Sequence, residues 1–233
     1  MTQRTLIRLV PLMCCLLWSG IIAADQLPDL RFTEETFDIG CVGIDFKVYH
    51  NFEMVNHGAD TIHIDTVTAH CDCTEVRFID SVLAPGDTAR GLMIFNTANM
   101  YGPVEKDIRV YSSDKKSPYT YLPYLAHVGQ WLYKVEPKPV NVFFLPGQKS
   151  RPATFLNHEM ESITLKDIDL DDDIVDIRTL RAQADTGESL ELEITPKANL
   201  TPGTHNTNFT ALIELPDGTP PLRITIPIRV VKY

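Results

Sequence analysis

MVNHGADTIHIDTV (Met54–Val67) returns 101 residues later, without a gap, as FLNHEMESITLKDI (Phe155–Ile168). Asn56 and His57 fall on Asn157 and His158, and Ile62, Ile64 and Val67 fall on Ile163, Leu165 and Ile168. The same offset carries Gly86 onto Gly187 and Gly102 onto Gly203, and YLPYL (Tyr121–Leu125) meets TIPIR (Thr225–Arg229) after a few extra residues. A repeat of this length is a small domain, so two copies of one fold are expected in tandem.

Within each copy the hydrophobic period is two. Val48, His50, Phe52 and Met54 share one face of a run whose other face is Tyr49, Asn51 and Glu53, the pattern of a half-buried strand. Thr61–Thr68, Arg90–Phe95, Lys106–Tyr111 and Tyr119–Val128 read the same way, as do Val140–Phe144, Ala153–Leu156, Ser162–Leu170, Ser189–Ile194, Asn208–Leu215 and Leu222–Val231. Turn residues separate them: Asn56-His57-Gly58, Pro85-Gly86-Asp87, Pro202-Gly203 and Pro216-Asp217-Gly218. Asp172–Ala184 has helical spacing in Ile174, Ile177 and Leu180, but its counterpart holds the strand-like CTEVRF, so a strand is expected there. Many short strands with Gly and Pro turns describe an all-β chain of two β-sandwiches. Expected boundaries are a signal peptide at 1–24, a first domain at 25–130 and a degenerate second copy at 131–233, joined stiffly near Gly129-Gln130-Trp131.

The expected signal has Arg4 and Arg8, then the apolar stretch Leu9–Ile22, then Ala23-Ala24 as a cleavage point. Cys14 and Cys15 inside it allow a lipoprotein signal instead. The stretch is short for a membrane span, so none is expected once the signal is cleaved. Localisation then reads as extracytoplasmic: periplasmic, outer-membrane associated or secreted. Net charge is −10, becoming −12 without the first 24 residues. That acidity argues against nucleic acid and anionic membrane surfaces as partners.

The first copy strings together FDIG (Phe37–Gly40), HNFEMVNHG (His50–Gly58), AHCDCTEV (Ala69–Val76) and LAPGDTARGLMIFNT (Leu83–Thr97), followed by Gly102, Lys106, Ile108 and Val110. This resembles the bacterial domain-of-unknown-function family 1573, over about residues 32–128. The resemblance implies an exported immunoglobulin-like β-sandwich of the ASH and major-sperm-protein type, with no established activity. The second copy keeps the skeleton only, with Asp172 and Ile174 where Cys71 and Cys73 would be.

Beyond the signal the chain has three cysteines, Cys41, Cys71 and Cys73. An odd count leaves several readings open. Cys71–Cys73 can bridge if a turn brings them together, since an extended strand sets their Cα atoms about 6.6 Å apart. Cys41 can bridge one of them. All three can stay reduced and half-buried, or the pair can serve metal or redox chemistry. His70 beside Cys71 makes Cys71, Cys73 and His70 weak metal candidates, although the spacing fits no zinc finger or ribbon. His50, His57, His63 and His127 are scattered through the same copy. Alternation points His63 outward, and turn hydrogen bonding accounts for His57 and its counterpart His158.

The acidic run Asp167–Asp173 lacks the Gly and Glu of a calcium-binding EF-hand, since Asp172 and Arg178 stand at those positions; a sandwich-edge calcium site or a solvated strand end remain. No nucleophile elbow, phosphate loop or metalloprotease motif occurs. Asp107 and Asp114 read as ordinary surface acids. Asn199 and Asn208 head N-glycosylation sequons. Thr61, Thr66, Ser81 and Thr88 sit in Asp-Thr/Ser-aliphatic triplets resembling a bacterial O-glycosylation motif. Tyr119, Tyr121, Tyr124, Trp131 and Tyr133 are expected to pack the two sandwiches together at their junction, a partner-binding patch being the alternative. No cofactor is expected. The sequence therefore points to an exported, non-catalytic binding or scaffold protein of the cell envelope, with a protein or glycan partner. The alternative is an envelope metal-binding or thiol–disulfide protein using Cys71 and Cys73, with Cys41 as resolving thiol.

Overall fold

A computed structural model describes residues 29–78, 80–129, 134–170 and 173–233. The expected signal peptide, the junction at 130–133 and Asp172 lie outside them. Every regular element among the described residues is a strand. The first copy supplies β1 (Leu30–Phe32), β2 (Phe37–Val42), β3 (Lys47–Asn56), β4 (Ile62–Ala69), β5 (Thr74–Phe78), β6 (Val82–Leu83), β7 (Thr88–Asn96), β8 (Gly102–Ser112) and β9 (Tyr119–Val128). The second supplies β10 (Val135–Lys138), β11 (Val142–Phe144), β12 (Arg151–Asn157), β13 (Ile163–Asp169), β14 (Val175–Arg181), β15 (Gln183–Ala184), β16 (Ser189–Pro196), β17 (Gly203–Glu214) and β18 (Leu222–Lys232). The segment with mixed helical and strand signals is β14, as its counterpart β5 implied.

Each copy has one four-stranded sheet of its own, β1-β3-β7-β5 and β10-β12-β16-β14. Their inner faces carry the alternation read from the sequence. Val48, His50, Phe52, Met54 and Asn56 of β3 are all buried, and Phe155 and Asn157 of β12 repeat the theme. Gly91 of β7 is where the Phe52 ring crosses the strand, because a Cβ there would meet ring atoms 2.2 Å away. Ile39, Val48, Phe52, Phe95 and Tyr124 centre the first core, and Phe144, Phe155, Phe209 and Ile226 the second. Each such fully buried side chain stabilises the fold by about 1.5–3 kcal/mol.

The repeated asparagines fix the turns that follow them. Asn56 Nδ2 donates to the carbonyls of Asp60 (2.8 Å) and Leu83 (3.0 Å), and its Oδ1 accepts the Gly58 N–H (2.9 Å). Asn157 does the same to Glu161 (2.9 Å), Ala184 (3.0 Å) and Glu159 (2.8 Å). Gly86 and Gly187, both at positive φ, each donate an N–H to the carbonyl of the repeated asparagine. The repeat therefore conserves a bonding pattern as well as a burial pattern, because a buried amide must be satisfied.

The second layer was not legible as such. It is one ten-stranded sheet running through both copies, β15-β13-β17-β18-β2-β9-β8-β4-β6, with β11 also beside β18. In the first copy β2 lies parallel to β9, as β11 does to β18 in the second. β2 then also pairs parallel with β18 at Cys41–Ile224, and this joins the copies. Thr225 Oγ1 donates to the Ile39 carbonyl (2.6 Å), Arg223 Nε to the Asp38 carbonyl (2.8 Å), and Asn208 Oδ1 accepts the Tyr49 N–H (2.7 Å). Gly40 permits the approach. Its φ is +71°, and a Cβ would sit 2.4 Å from the Arg223 carbonyl oxygen. An edge strand that would otherwise expose unpaired backbone is thereby covered by the second copy.

Candidate functional site

Among the described residues, two places on the first copy gather the chemistry-bearing side chains that bear on function. The first is the corner where β4 turns into β5. The chain bends at His70, and the Thr74 N–H donates to the Cys71 carbonyl (3.2 Å) across the intervening turn. This is the turn that a Cys71–Cys73 bridge needs, and the structure joins the two as a disulfide with Cα atoms 5.2 Å apart. Thr74 Oγ1 lies 4.0 Å from the Cys71 sulfur and 3.8 Å from the Cys73 sulfur. The same hydroxyl shares a 2.5 Å hydrogen bond with the Tyr124 hydroxyl. Burial raises the Tyr124 phenol above its ordinary value of 10, opposed by the bond to Thr74.

Cys41 does not bridge either of them. It remains a thiol, 3 % exposed, in the hydrophobic core of the second copy. Phe37 is the β2 residue level with Tyr124, and Cys41 lies further along the strand, level with His127. Cys73 packs against the core of the first copy instead, so Cys41 and the Cys71–Cys73 pair lie in different cores. The metal candidates also fall short of a cluster. His70 Nδ1 lies 3.9 Å from Asp107 Oδ2, and among the described residues no three His, Cys, Asp or Glu side chains converge.

Several of the remaining histidines and acids have local partners. His50 is buried, stacked on Phe37 at 3.5 Å, with Nε2 2.6 Å from Glu34 Oε1. His63 is exposed as alternation required, and His158 Nε2 lies 3.2 Å from Glu136 Oε2. In the acidic run, Asp169 pairs with Arg223 (3.2 Å) and Asp173 with Lys197 (3.1 Å). Asp114, read as a surface acid, is buried, because its carboxylate accepts the N–H groups of Leu30, Lys116 and Ser117. Asn208 is likewise no open sequon: it is buried, with Oδ1 spent on Tyr49. Asn199 and the hydroxyl residues Thr61, Thr66, Ser81 and Thr88 are exposed.

The second place is the outward face of β9. The aromatic residues expected at the domain junction are arranged differently. Tyr124 points into the first core, 5.2 Å from the Phe95 ring, whereas Tyr119 and Tyr121 point outward and away from it. Trp131 and Tyr133 lie outside the described residues. The physical reason is the strand period: residues 122, 124, 126 and 128 face inward, so 119, 121, 123, 125 and 127 face out. Tyr119 (50 % exposed), Tyr121 (55 %), Leu125 (37 %) and, across the strand pair, Tyr111 (36 %) form the stripe. Tyr111 and Tyr119 are direct cross-strand partners with ring centroids 6.0 Å apart.

Beside Tyr121 lies a groove of about 320 Å³ lined by His70, Glu105, Lys106, Asp107, Tyr121 and Pro123. Arg109, opposite Tyr121 on β8, donates to both oxygens of Asp107 (3.0 and 3.1 Å). That bond holds the Arg109 guanidinium above its ordinary range. The stripe ends at Leu125 and His127, which line a wider groove of about 450 Å³ between the copies, walled by Pro220, Pro221 and Leu222. Sequence reasoning missed Tyr111, Leu125 and Arg109. The signal available was the i, i+2 spacing of Tyr119, Tyr121, Pro123 and Leu125 within one strand.

Residues 30–122 match the family described as Protein of unknown function (DUF1573). That is the family the first copy resembles. The match covers both the Cys71–Cys73 corner and Tyr121, and it ends before the second copy begins. Similar solved structures include a protein of unknown function from Porphyromonas gingivalis, at 10 % identity and TM-score 0.36, covering 85 % of this chain and 98 % of that one. The ASH/PapD-like domain of human CEP192 aligns at 9 % identity and TM-score 0.35, covering 55 % and 97 %. The periplasmic chaperone SfaE aligns at 8 % identity and TM-score 0.34, covering 88 % and 100 %. No curated protein matches the chain.

Proposed function

We propose that this chain is an exported, non-catalytic binding module of the bacterial cell envelope, holding a protein or glycan partner on the outward face of β9. The observation that carries this reading is the row of exposed aromatic and aliphatic side chains, Tyr119, Tyr121 and Leu125, on the outward face of β9. β8 pairs with β9 along its whole length and β2 joins it from Tyr124 to Val128, so the strand is held in place while its outward side chains stay exposed. An exposed apolar patch of a few hundred Å² on a folded protein is often functional. Pairing with β18 stiffens β2 beside it, so the platform is held without a ligand. Such preorganisation lowers the entropic cost of binding. The apolar stretch Leu9–Ile22, with Arg4 and Arg8 before it and Ala23-Ala24 after it, supports an exported protein.

The test is site-specific photo-crosslinking in the producing cell, with the probe at position 121 or, as control, at exposed Val82. The reading expects a discrete crosslinked species from position 121 alone. Equal or absent crosslinking at both sites removes it.

One observation favours a second reading, thiol–disulfide exchange or metal capture at Cys71 and Cys73. Thr74 Oγ1 stands near both sulfurs and is placed to donate to a thiolate there. Under that reading Cys71→Ser and Cys73→Ser abolish exchange or metal uptake in a folded protein; under the binding reading they change stability only.

A further inference from the structure

We propose that the ligand of the β9 face is an uncharged glycan chain, its sugar rings stacked on Tyr119 and Tyr121 and its hydroxyls bonded in the groove beside them. This inference rests on the binding-module reading above and names its partner. The outward tyrosines follow one another at about 7 Å along the strand, with Tyr111 alongside at 6.0 Å from Tyr119. Half-exposed amphipathic rings at this spacing, Tyr111 tilted 42° against Tyr119, suit a ligand that also has flat apolar faces and repeats along a line.

Three alternatives fit less well. A second copy of this chain needs about 800 Å² per partner for a standard interface. The four stripe residues at 36–55 % exposure offer roughly 350 Å², taking about 200 Å² per aromatic side chain. A single-stranded nucleic acid also stacks on aromatic rings, but it requires a basic groove for its phosphates, and this chain has net charge −10. An extended peptide that adds a strand bonds to the backbone along a sheet edge, whereas the stripe projects from the outward face of the sheet, off the plane of its hydrogen bonds.

Charge complementarity points the same way. On the stripe itself the cation and the acid are locked together, Arg109 with both oxygens of Asp107. The pair gives fixed hydrogen-bonding groups without a net field. Glu105, Lys106 and His70 complete a wall of donors and acceptors around the Tyr121 ring. Exposed aromatic rings beside a wall of hydrogen-bonding groups whose charges balance, Glu105 and Asp107 against Lys106 and Arg109, match a polyhydroxyl ring better than they match a polymer of one charge.

The test is titration calorimetry of the purified full chain with four neutral oligosaccharides, the hexamers of cellulose, xylan, starch and chitin. Heparin and a thymidine homopolymer serve as anionic controls. We expect at least one neutral hexamer to bind and neither polyanion to do so. Affinity should fall by about tenfold or more in Tyr121→Ala and stay near the original in Tyr121→Phe, which keeps the ring. Tyr119→Ala should weaken binding as well. Because both tyrosines are half-exposed, unchanged thermal unfolding certifies each variant. Failure of every hexamer to bind at millimolar concentration, or binding indifferent to Tyr121→Ala, overturns the inference. A discrete crosslink at position 121 without glycan binding overturns the glycan and keeps the binding module; neither signal removes both.

Discussion

Replacing Asn56 by alanine tests the internal repeat at the level of single hydrogen bonds. The side chain is fully buried and makes three bonds, to the carbonyls of Asp60 and Leu83 and from the Gly58 N–H. Leu83 is buried, so its carbonyl loses a partner that water cannot replace, a cost of about 1–3 kcal/mol. Gly58 and Asp60 lie in a solvent-facing turn and rehydrate, so those bonds cost about 0.5–1 kcal/mol each. The total is about 3 kcal/mol. Asn157→Ala removes the corresponding three bonds, at lengths within 0.1 Å of the first set, and should cost the same. Urea unfolding followed by circular dichroism reads this as a midpoint lowered by about 1 M at an unchanged slope. Asn56→Asp should be worse than alanine at neutral pH, since a carboxylate would then face two carbonyl oxygens. Losses below about 1 kcal/mol for both alanine variants would refute the pinning role of the repeated asparagine.

Gly40→Ala should cost about 3 kcal/mol, from positive φ and from the Cβ driven against Arg223, and should split one unfolding transition into two; a single, unshifted transition would contradict the shared sheet. Cys71→Ser with Cys73→Ser should cost about 1.5 kcal/mol, because the bond closes a loop only two residues long; urea unfolding of the double variant, against the disulfide-intact parent, checks it. Lys134 beside Asp217 holds that carboxyl far below its ordinary 3.8. A depressed carboxylate stabilises above the unfolded value and loses that contribution as pH falls below about 4, so acid titration of stability in Asp217→Asn should be flatter below pH 4 than in the parent.

The fold was readable wherever two independent signals coincided. Alternation and the 101-residue offset both mark β3 and β12, and together they overrule the helical spacing of Ile174, Ile177 and Leu180 in favour of β14. What could not be read depends on contacts between distant segments. Asn56 is visibly a turn residue, but its bond to Leu83 spans 27 positions. Cys41 belongs by sequence to the first copy, yet its side chain lies in the core of the second, because β2 is sandwiched between β9 and β18. Gly40 before it was the one local hint, a residue without a Cβ where two backbones meet. The candidate site was half legible. The tyrosines were visible as a cluster, but assigning them to the junction ignored the strand period that sends Tyr124 inward and Tyr119 and Tyr121 out.

The most direct measurement is the saturable retention of purified protein on envelope preparations from the producing cell, compared between the parent and a Tyr119→Ala/Tyr121→Ala variant of equal thermal stability. Retention weakened about tenfold or more in the variant is the expected result. Equal retention by the two proteins would contradict binding through the face of β9.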